Sequence, residues 1–221
     1  DWGLDIRLAA LFHDIAKPET TRETPDGTTF YGHEVVGARV TRETLLRLRF
    51  PVKLVEKVVK LVRWHMFFSD TEQITLSAVR RLIANVGQEN IWDLMKVRAC
   101  DRIGTGRPKE SPYRLRKYHA MIEEALHDPV SVGMLKIDGK RIMDVTRETP
   151  GPKIGYTLHA LLEEVLEDPS QNTAEYLEKR AIELMKLDIG ELQKLGEAGK
   201  NIKEKEEEKL INEIRGKHGV R

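Results

Sequence analysis

The sequence contains a single cysteine, Cys100, among 221 residues, which excludes an internal disulfide and a zinc site built from thiolates. Such scarcity of cysteine is typical of a reducing compartment, and we predict a cytoplasmic location. No apolar run approaches the roughly 20 residues of a membrane span, so we expect no membrane partner. The formal net charge is only +1, and a surface that binds nucleic acid must therefore be a local patch.

Strand-like alternation is scarce, and the apolar residues recur mostly at helical spacing, which favours an all-α fold. The polar connection over 19–30 is the exception, because the turn signal Pro25-Asp-Gly27 between threonines allows a short hairpin. We predict helices over about 4–16, 33–48, from 51 to His65, 76–86, 91–103, 113–127, 135–145, 152–167 and 173–187.

The stretch from Leu8 to Pro18 contains the end of an apolar helix and the proline that is predicted to stop it. Pro18 stops a helix and biases Lys17 away from helical geometry. His13 and Asp14 then lie in the last helical turn, where a carboxylate is costly unless it is paired or bound to a cation. The apolar residues of this helix recur at helical spacing and are predicted to face the core: Leu4, Leu8, Leu11 and Ile15.

Further candidate metal ligands occur at or near the ends of apolar segments, namely His33, His65 and Asp101. Imidazole and carboxylate ligands suit a divalent transition metal such as Mn, Fe, Co, Ni or Zn, without choosing among them. Each residue also has an ordinary interpretation. Taken singly, His33 would be an ordinary first-turn histidine and His65 a core histidine whose hydrogen bonds are satisfied. Asp101 would be paired with Arg98 or Arg102.

The most basic stretch of the chain runs from 98 to 117, with Tyr113 inside it and Tyr118 directly after it. It is either a solvated loop or a phosphate-binding surface. Lys17 is a candidate phosphate clamp, and the amides that open the helix after Pro150, with Lys153, are a candidate anion site. The candidate phosphate or RNA contacts are Lys17, Arg102, Arg107, Lys109, Arg114 and Lys153. The cations of the helix after Pro51 are predicted to face away from its apolar side: Lys53, Lys57, Lys60 and Arg63.

The order His-Asp, His, His, Asp resembles the HD superfamily of metal-dependent phosphohydrolases. The match is closer to the HD-containing body of bacterial CCA-adding tRNA nucleotidyltransferases and poly(A) polymerases. The segments that carry it are 8–18, 30–38, 46–51, 61–66, 150–155 and 161–173. Residues 1–12 contain no histidine, whereas HD domains usually take their first ligand histidine from an upstream helix. No nucleotidyltransferase head, with its magnesium-binding aspartates, precedes the match, so we expect a piece of a longer gene product.

The resemblance implies an HD-domain helical bundle over 1–128 and a smaller helical tRNA-binding-like region over 129–188. The composition shift at 128–133 suggests this boundary. A charged helical or disordered tail is expected over 189–221. Expected partners are tRNA, a nucleotide or phosphoester small molecule, and the head domain on the same or another chain.

The implied activity is metal-dependent hydrolysis of nucleotide phosphomonoesters or 2′,3′-cyclic phosphates, with magnesium reserved for the head. The expected metal ligands are His13, Asp14, His33, His65 and Asp101, and the expected catalytic residues are Asp14, Lys17 and His65. One alternative is a non-catalytic tRNA-binding scaffold, which the missing upstream histidine favours. Another is a free-standing HD nucleotide phosphohydrolase, against which the family-like region over 150–187 argues.

Overall fold

A computed structural model describes residues 2–25, 27–67, 74–106 and 113–196, and these residues are mostly α-helical, which confirms the all-α prediction. The elements are α1 Leu4–Phe12, α2 Lys17–Thr20, β1 Arg22–Thr24, β2 Gly27–Thr29, α3 His33–Arg47, α4 Val52–Trp64, α5 Leu76–Val86, α6 Ile91–Gly104, α7 Tyr113–Ala125, α8 Gly139–Thr146, α9 Pro152–Glu167, α10 Ala174–Leu184 and α11 Ile189–Gly196. Two short 3₁₀ turns occur at Val132–Met134 and Pro169–Gln171.

The described residues divide into two units. The first comprises 2–67, 85–106 and 113–118, and the second comprises 74–84 and 119–196. Helices α5 and α7 each contribute residues to both units. The domain division at residue 128 stays a prediction.

The hairpin predicted in the connection after α2 is present. Strands β1 and β2 pair antiparallel, with Arg22 opposite Thr29 and Thr24 opposite Gly27. Gly27 has a φ of 117°, a backbone conformation that costs glycine little and other residues much. The hairpin leads through Phe30 and Tyr31 to the first residue of α3.

The first helix differs from the prediction in length and in buried face. It ends at Phe12, and Lys17 begins the short helix α2 with Pro18 in its first turn, where proline is favoured. Ile6 and Ala9 are its buried residues, whereas Leu4 and Leu11 are 53% and 73% exposed. The prediction that the leucine stripe faces the core was therefore wrong.

In the first unit, α4 packs against α1, α3 and α6, and α1 also packs against α6. The apolar face of α4 is continuous, because Val55, Val58, Leu61 and Val62 follow helical spacing and all are fully buried. On α3, Leu45 is fully buried, whereas Leu48, the residue that caps the end of this helix, is 59% exposed. Helix α4 is thus the central element of this unit.

In the second unit, α9 packs against α8, α10 and α11. Two buried arginines of α5 bind acceptors there. Arg80 Nε donates to Asp128 Oδ2 at 2.7 Å, and Arg81 Nη2 donates to Glu167 Oε2 at 2.8 Å. Burial is tolerable for these charges because their donors have carboxylate partners. Among the described residues, no helix has both the length and the apolar character needed to cross a bilayer.

Candidate metal centre

Four helices of the first unit bring the candidate ligands together. His13 and His65 are the C-caps of α1 and α4, and both keep right-handed helical backbone angles. Asp101 lies on α6. His33 begins α3 directly after Gly32, whose φ of 81° belongs to the left-handed region where glycine is favoured. The ends of α1 and α4 therefore meet the start of α3 and the side of α6.

All three histidines are held by the same local hydrogen bond. The Nδ1 of His13 lies 2.8 Å from the carbonyl oxygen of Ala10, and those of His33 and His65 lie 2.7 Å from the carbonyls of Phe30 and Val62. A carbonyl oxygen only accepts, so each Nδ1 carries the proton. A neutral ring then has a lone pair on Nε2, and this is how protein histidines are commonly oriented as metal ligands.

The first ligand group consists of Asp14, His33 and His65, whose ligand atoms all lie within 4.8 Å of one another. Asp14 Oδ1 lies 3.4 Å from His33 Nε2 and 3.9 Å from His65 Nε2. The two Nε2 atoms are 3.2 Å apart. Because both Nδ1 protons are engaged, neutral rings direct these lone pairs towards each other, and a shared cation would stabilise the arrangement.

The second ligand group consists of His13, Asp14 and Asp101. His13 Nε2 lies 3.1 Å from Asp14 Oδ2 and 3.7 Å from Asp101 Oδ1. The other oxygen of Asp101, Oδ2, accepts a hydrogen bond of 2.8 Å from Arg98 Nη1. Asp14 is therefore common to both groups and offers a different oxygen to each.

The electrostatics of the cluster follow burial and charge pairing. Burial lowers the pKa of His65 from 6.5 to about 4. The pKa of Asp101 falls to about 2, chiefly through its interaction with the His13 ring and further through the Arg98 charge. For His13, burial opposes the charged form, but its interactions with Asp101 and with the Ala10 carbonyl raise its pKa overall.

Lys17 lies at the edge of the cluster. Its Nζ is 2.7 Å from Asp14 Oδ2 and 5.6 Å from the centre of the Phe30 ring. The side chain is 39% exposed, so the ammonium group is close to the ligands and also reachable from solvent.

The other predicted phosphate contacts are more dispersed. Arg102 follows Asp101 on α6, and Arg114 is exposed on α7. Arg107 and Lys109 lie outside the described residues. In the second unit, Lys153 Nζ donates to the carbonyl of Met185 at 2.6 Å, so this ammonium group satisfies the end of α10.

Sequence reasoning missed the role of Lys57. It was predicted to face away from the core, but its ammonium lies between two aspartates, 2.5 Å from Asp5 Oδ2 and 2.6 Å from Asp93 Oδ2. Both aspartates are far from Lys57 in the sequence and occupy the first turns of α1 and α6. The available signal was that each precedes a candidate ligand by the same number of residues.

Comparison with known proteins agrees with this geometry. The family model described as "HD domain" matches residues 3–214. The CC-adding tRNA nucleotidyltransferase of Thermus thermophilus is 40% identical over 72% of this chain and 36% of its own length. The A-adding tRNA nucleotidyltransferase of Deinococcus radiodurans is 32% identical over 74% of this chain and 38% of its own length.

A Multifunctional CCA protein of Neisseria meningitidis is 28% identical over 57% of this chain and 31% of its own length. The chain thus spans about a third of the length of these curated relatives. No solved structure matches the chain. The resemblance to tRNA nucleotidyltransferases is confirmed by these relatives, and the match over most of its length shows that the chain belongs to the HD-domain family.

Proposed function

We propose that this chain is the HD and tRNA-binding portion of a CCA-adding-type tRNA nucleotidyltransferase, with metal-dependent phosphohydrolase activity of its own. The observation that carries the proposal is the convergence of three histidine Nε2 atoms and two aspartates in the first unit. The proposed substrates are nucleotide phosphomonoesters or 2′,3′-cyclic phosphates. A cytoplasmic location and tRNA as partner belong to the same proposal.

The donor set fits a divalent transition metal such as Mn, Co, Ni, Fe or Zn. Imidazole and carboxylate are the ligand types that these ions accept. The facing Nε2 atoms of His33 and His65 supply the structural reason to expect a cation there. Asp14 would belong to both ligand groups, so the cluster suits two neighbouring ions that share one carboxylate.

The residues of the chain then have distinct roles. Divalent cations supply an activated water and neutralise charge on phosphoryl oxygens. Asp14 would help to hold the cations and to orient that water. His65, whose pKa is lowered by burial, stays neutral and available as a ligand at neutral pH. The Lys17 ammonium binds a phosphoryl oxygen from the solvent side.

Lys17→Met is expected to reduce kcat/KM on a 2′,3′-cyclic nucleotide by about tenfold to hundredfold. A charge-assisted hydrogen bond contributes roughly 1.5–3 kcal/mol, and each 1.36 kcal/mol is about tenfold in rate. Metal binding should persist, because the substitution removes a cation that competes for Asp14 Oδ2. Steady-state kinetics with added Mn²⁺ measure the effect. Lys53→Met, at an exposed position on α4, is the matched control and should behave as wild type.

The direct test of the proposed activity is hydrolysis of a 2′,3′-cyclic nucleotide by the purified chain with Mn²⁺, Co²⁺ or Ni²⁺. Turnover that disappears in His13→Ala, with tRNA affinity retained, supports the phosphohydrolase. Absence of turnover with every metal contradicts it.

A non-catalytic tRNA-binding scaffold is the second candidate. It is favoured by the names of two relatives, which are tRNA nucleotidyltransferases. tRNA binding in a gel-shift assay, together with no turnover in the hydrolysis assay, would select the scaffold. A free-standing nucleotide phosphohydrolase would instead show turnover without tRNA binding.

A further inference from the structure

The ion cluster formed by Asp5, Lys57 and Asp93, here called the charged layer, connects the three helices α1, α4 and α6. One ammonium nitrogen lies 2.5 Å from Asp5 Oδ2 and 2.6 Å from Asp93 Oδ2. The three side chains are only 20%, 31% and 15% exposed, in that order. This partial burial makes the cluster less screened by solvent than an ordinary surface ion pair.

The charged layer has the same sequence offset from the ligands on all three helices. His13, His65 and Asp101 each follow their charged-layer residue by eight positions. Halfway between, four positions along each helix, lie Ala9, Leu61 and Val97, which are 0%, 0% and 1% exposed. The three helices are therefore parallel and in register, with a charged, an apolar and a ligand-bearing layer in succession.

This arrangement couples the axial positions of the helices at the charged layer to the positions of the ligands at their other ends. Eight residues of α-helix span about 12 Å and behave as a short rigid rod, and a slip of one residue shifts a helix by about 1.5 Å. Metal–ligand distances tolerate only about 0.2 Å. Apolar packing is non-directional, whereas one ammonium held by two carboxylates fixes the axial position of each helix.

We propose that the charged layer is a positioning element, which sets the axial register of α1, α4 and α6 and so holds His13, His65 and Asp101 at metal-binding distance. The metal-binding part of this inference rests on the proposed function. Lys57 touches neither substrate nor metal and acts only through the helices that it joins.

The test compares Lys57→Met with Arg42→Met. Arg42 forms a two-pronged ion pair with Glu56 that joins α3 to α4, with Nη2 2.7 Å from Oε2, and it takes no part in the charged layer. Mn²⁺ affinity is titrated at a temperature where circular dichroism shows all variants folded. Lys57→Met is expected to bind Mn²⁺ at least tenfold more weakly, as is usual when the support of a metal site is lost. Arg42→Met should stay within twofold of wild type.

Lys57→Arg keeps the charge and should recover most of the Mn²⁺ affinity. If Lys57→Met does not fold, Asp5→Asn replaces it, since it is isosteric and leaves Asp93 on Lys57. Equal Mn²⁺ affinity in Lys57→Met and Arg42→Met, or in Asp5→Asn and wild type, would overturn the proposal.

A second readout separates this inference from the proposed function. The rings of His13 and His65 are 5.1 Å apart between centroids, which gives a nuclear Overhauser effect in the metal-free chain. The signal should weaken in Lys57→Met and persist in Arg42→Met. If the wild-type chain binds no Mn²⁺, the proposed metal site is wrong. The nuclear Overhauser effect then still tests whether the charged layer sets the register of the helices. Persistence of the signal in both variants overturns the positioning role.

Discussion

Asp14→Asn is expected to abolish metal-dependent turnover, with a loss in kcat/KM of at least about a thousandfold, equivalent to roughly 4 kcal/mol of transition-state stabilisation. Asp14 is the residue shared by both ligand groups. Its Oδ1 faces His33 and its Oδ2 faces His13. Asparagine has nearly the same size but replaces one oxygen by an amide nitrogen that does not ligate, and it removes the negative charge that attracts the cation.

Two measurements check this prediction, namely elemental analysis for bound metal and hydrolysis of a 2′,3′-cyclic nucleotide. Both should fall together, because one substitution disrupts both groups. Glu43→Gln, which removes an exposed carboxylate on α3, is the matched control and should leave metal and turnover unchanged. Full metal loading and turnover in Asp14→Asn would show that the carboxylate is not a ligand.

Acidification of the metal-free chain is expected to reduce its stability between about pH 6.5 and pH 4, by about 3 kcal/mol through His65 alone. Burial lowers the pKa of His65 from 6.5 to about 4, and each unit of pKa shift corresponds to about 1.4 kcal/mol. The unfolded chain accepts the proton at the higher pH and the folded chain resists it. The stabilisation is therefore complete above the unfolded pKa and is lost as the pH falls through this window.

The neighbouring titratable groups change the stability of the chain in other pH ranges. His13 has a raised pKa, so its contribution is present at low pH and is lost as the pH rises through that raised value. Asp101, with a pKa lowered to about 2, contributes above its ordinary value of 3.8 and loses that contribution only between 3.8 and 2. The fall between pH 6.5 and 4 is thus specific to His65 within this set.

Denaturant unfolding of chelator-treated protein at a series of pH values measures the effect. His65→Leu should flatten the stability curve between pH 6.5 and 4, whereas His127→Gln, at an exposed position, should not. A wild-type curve that is already flat, or an unchanged slope in His65→Leu, would contradict the role assigned to burial. Added Mn²⁺ should steepen the wild-type curve, because protons compete with metal for the ring nitrogens.

The sequence predicted which residues belong to the candidate site better than it predicted their geometry. The order of His13, Asp14, His33, His65 and Asp101 was readable because it resembles the HD pattern. Their roles as ligands stay predictions. That every Nδ1 binds the carbonyl three residues earlier was not readable, since it depends on side-chain geometry at the helix ends.

The errors have physical causes. Helical spacing identified the stripe of Leu4 and Leu11 but could not say which side of α1 meets α4 and α6, and the buried side contains Ile6 and Ala9. The proline rule predicted that Lys17 is not helical, but proline is also favoured in a first helical turn, and Lys17 begins α2. Lys57 was predicted only to face away from the apolar side of its helix, because the two carboxylates that bind it are distant in sequence.

The most direct test of the account is the metal content of the purified chain after incubation with Mn²⁺ and dialysis. Two bound ions per chain are predicted, because Asp14 offers a different oxygen to each ligand group. Asp14→Asn should retain neither. A wild-type chain that retains no more metal than Asp14→Asn would contradict the central claim that the histidine and aspartate cluster is a metal centre.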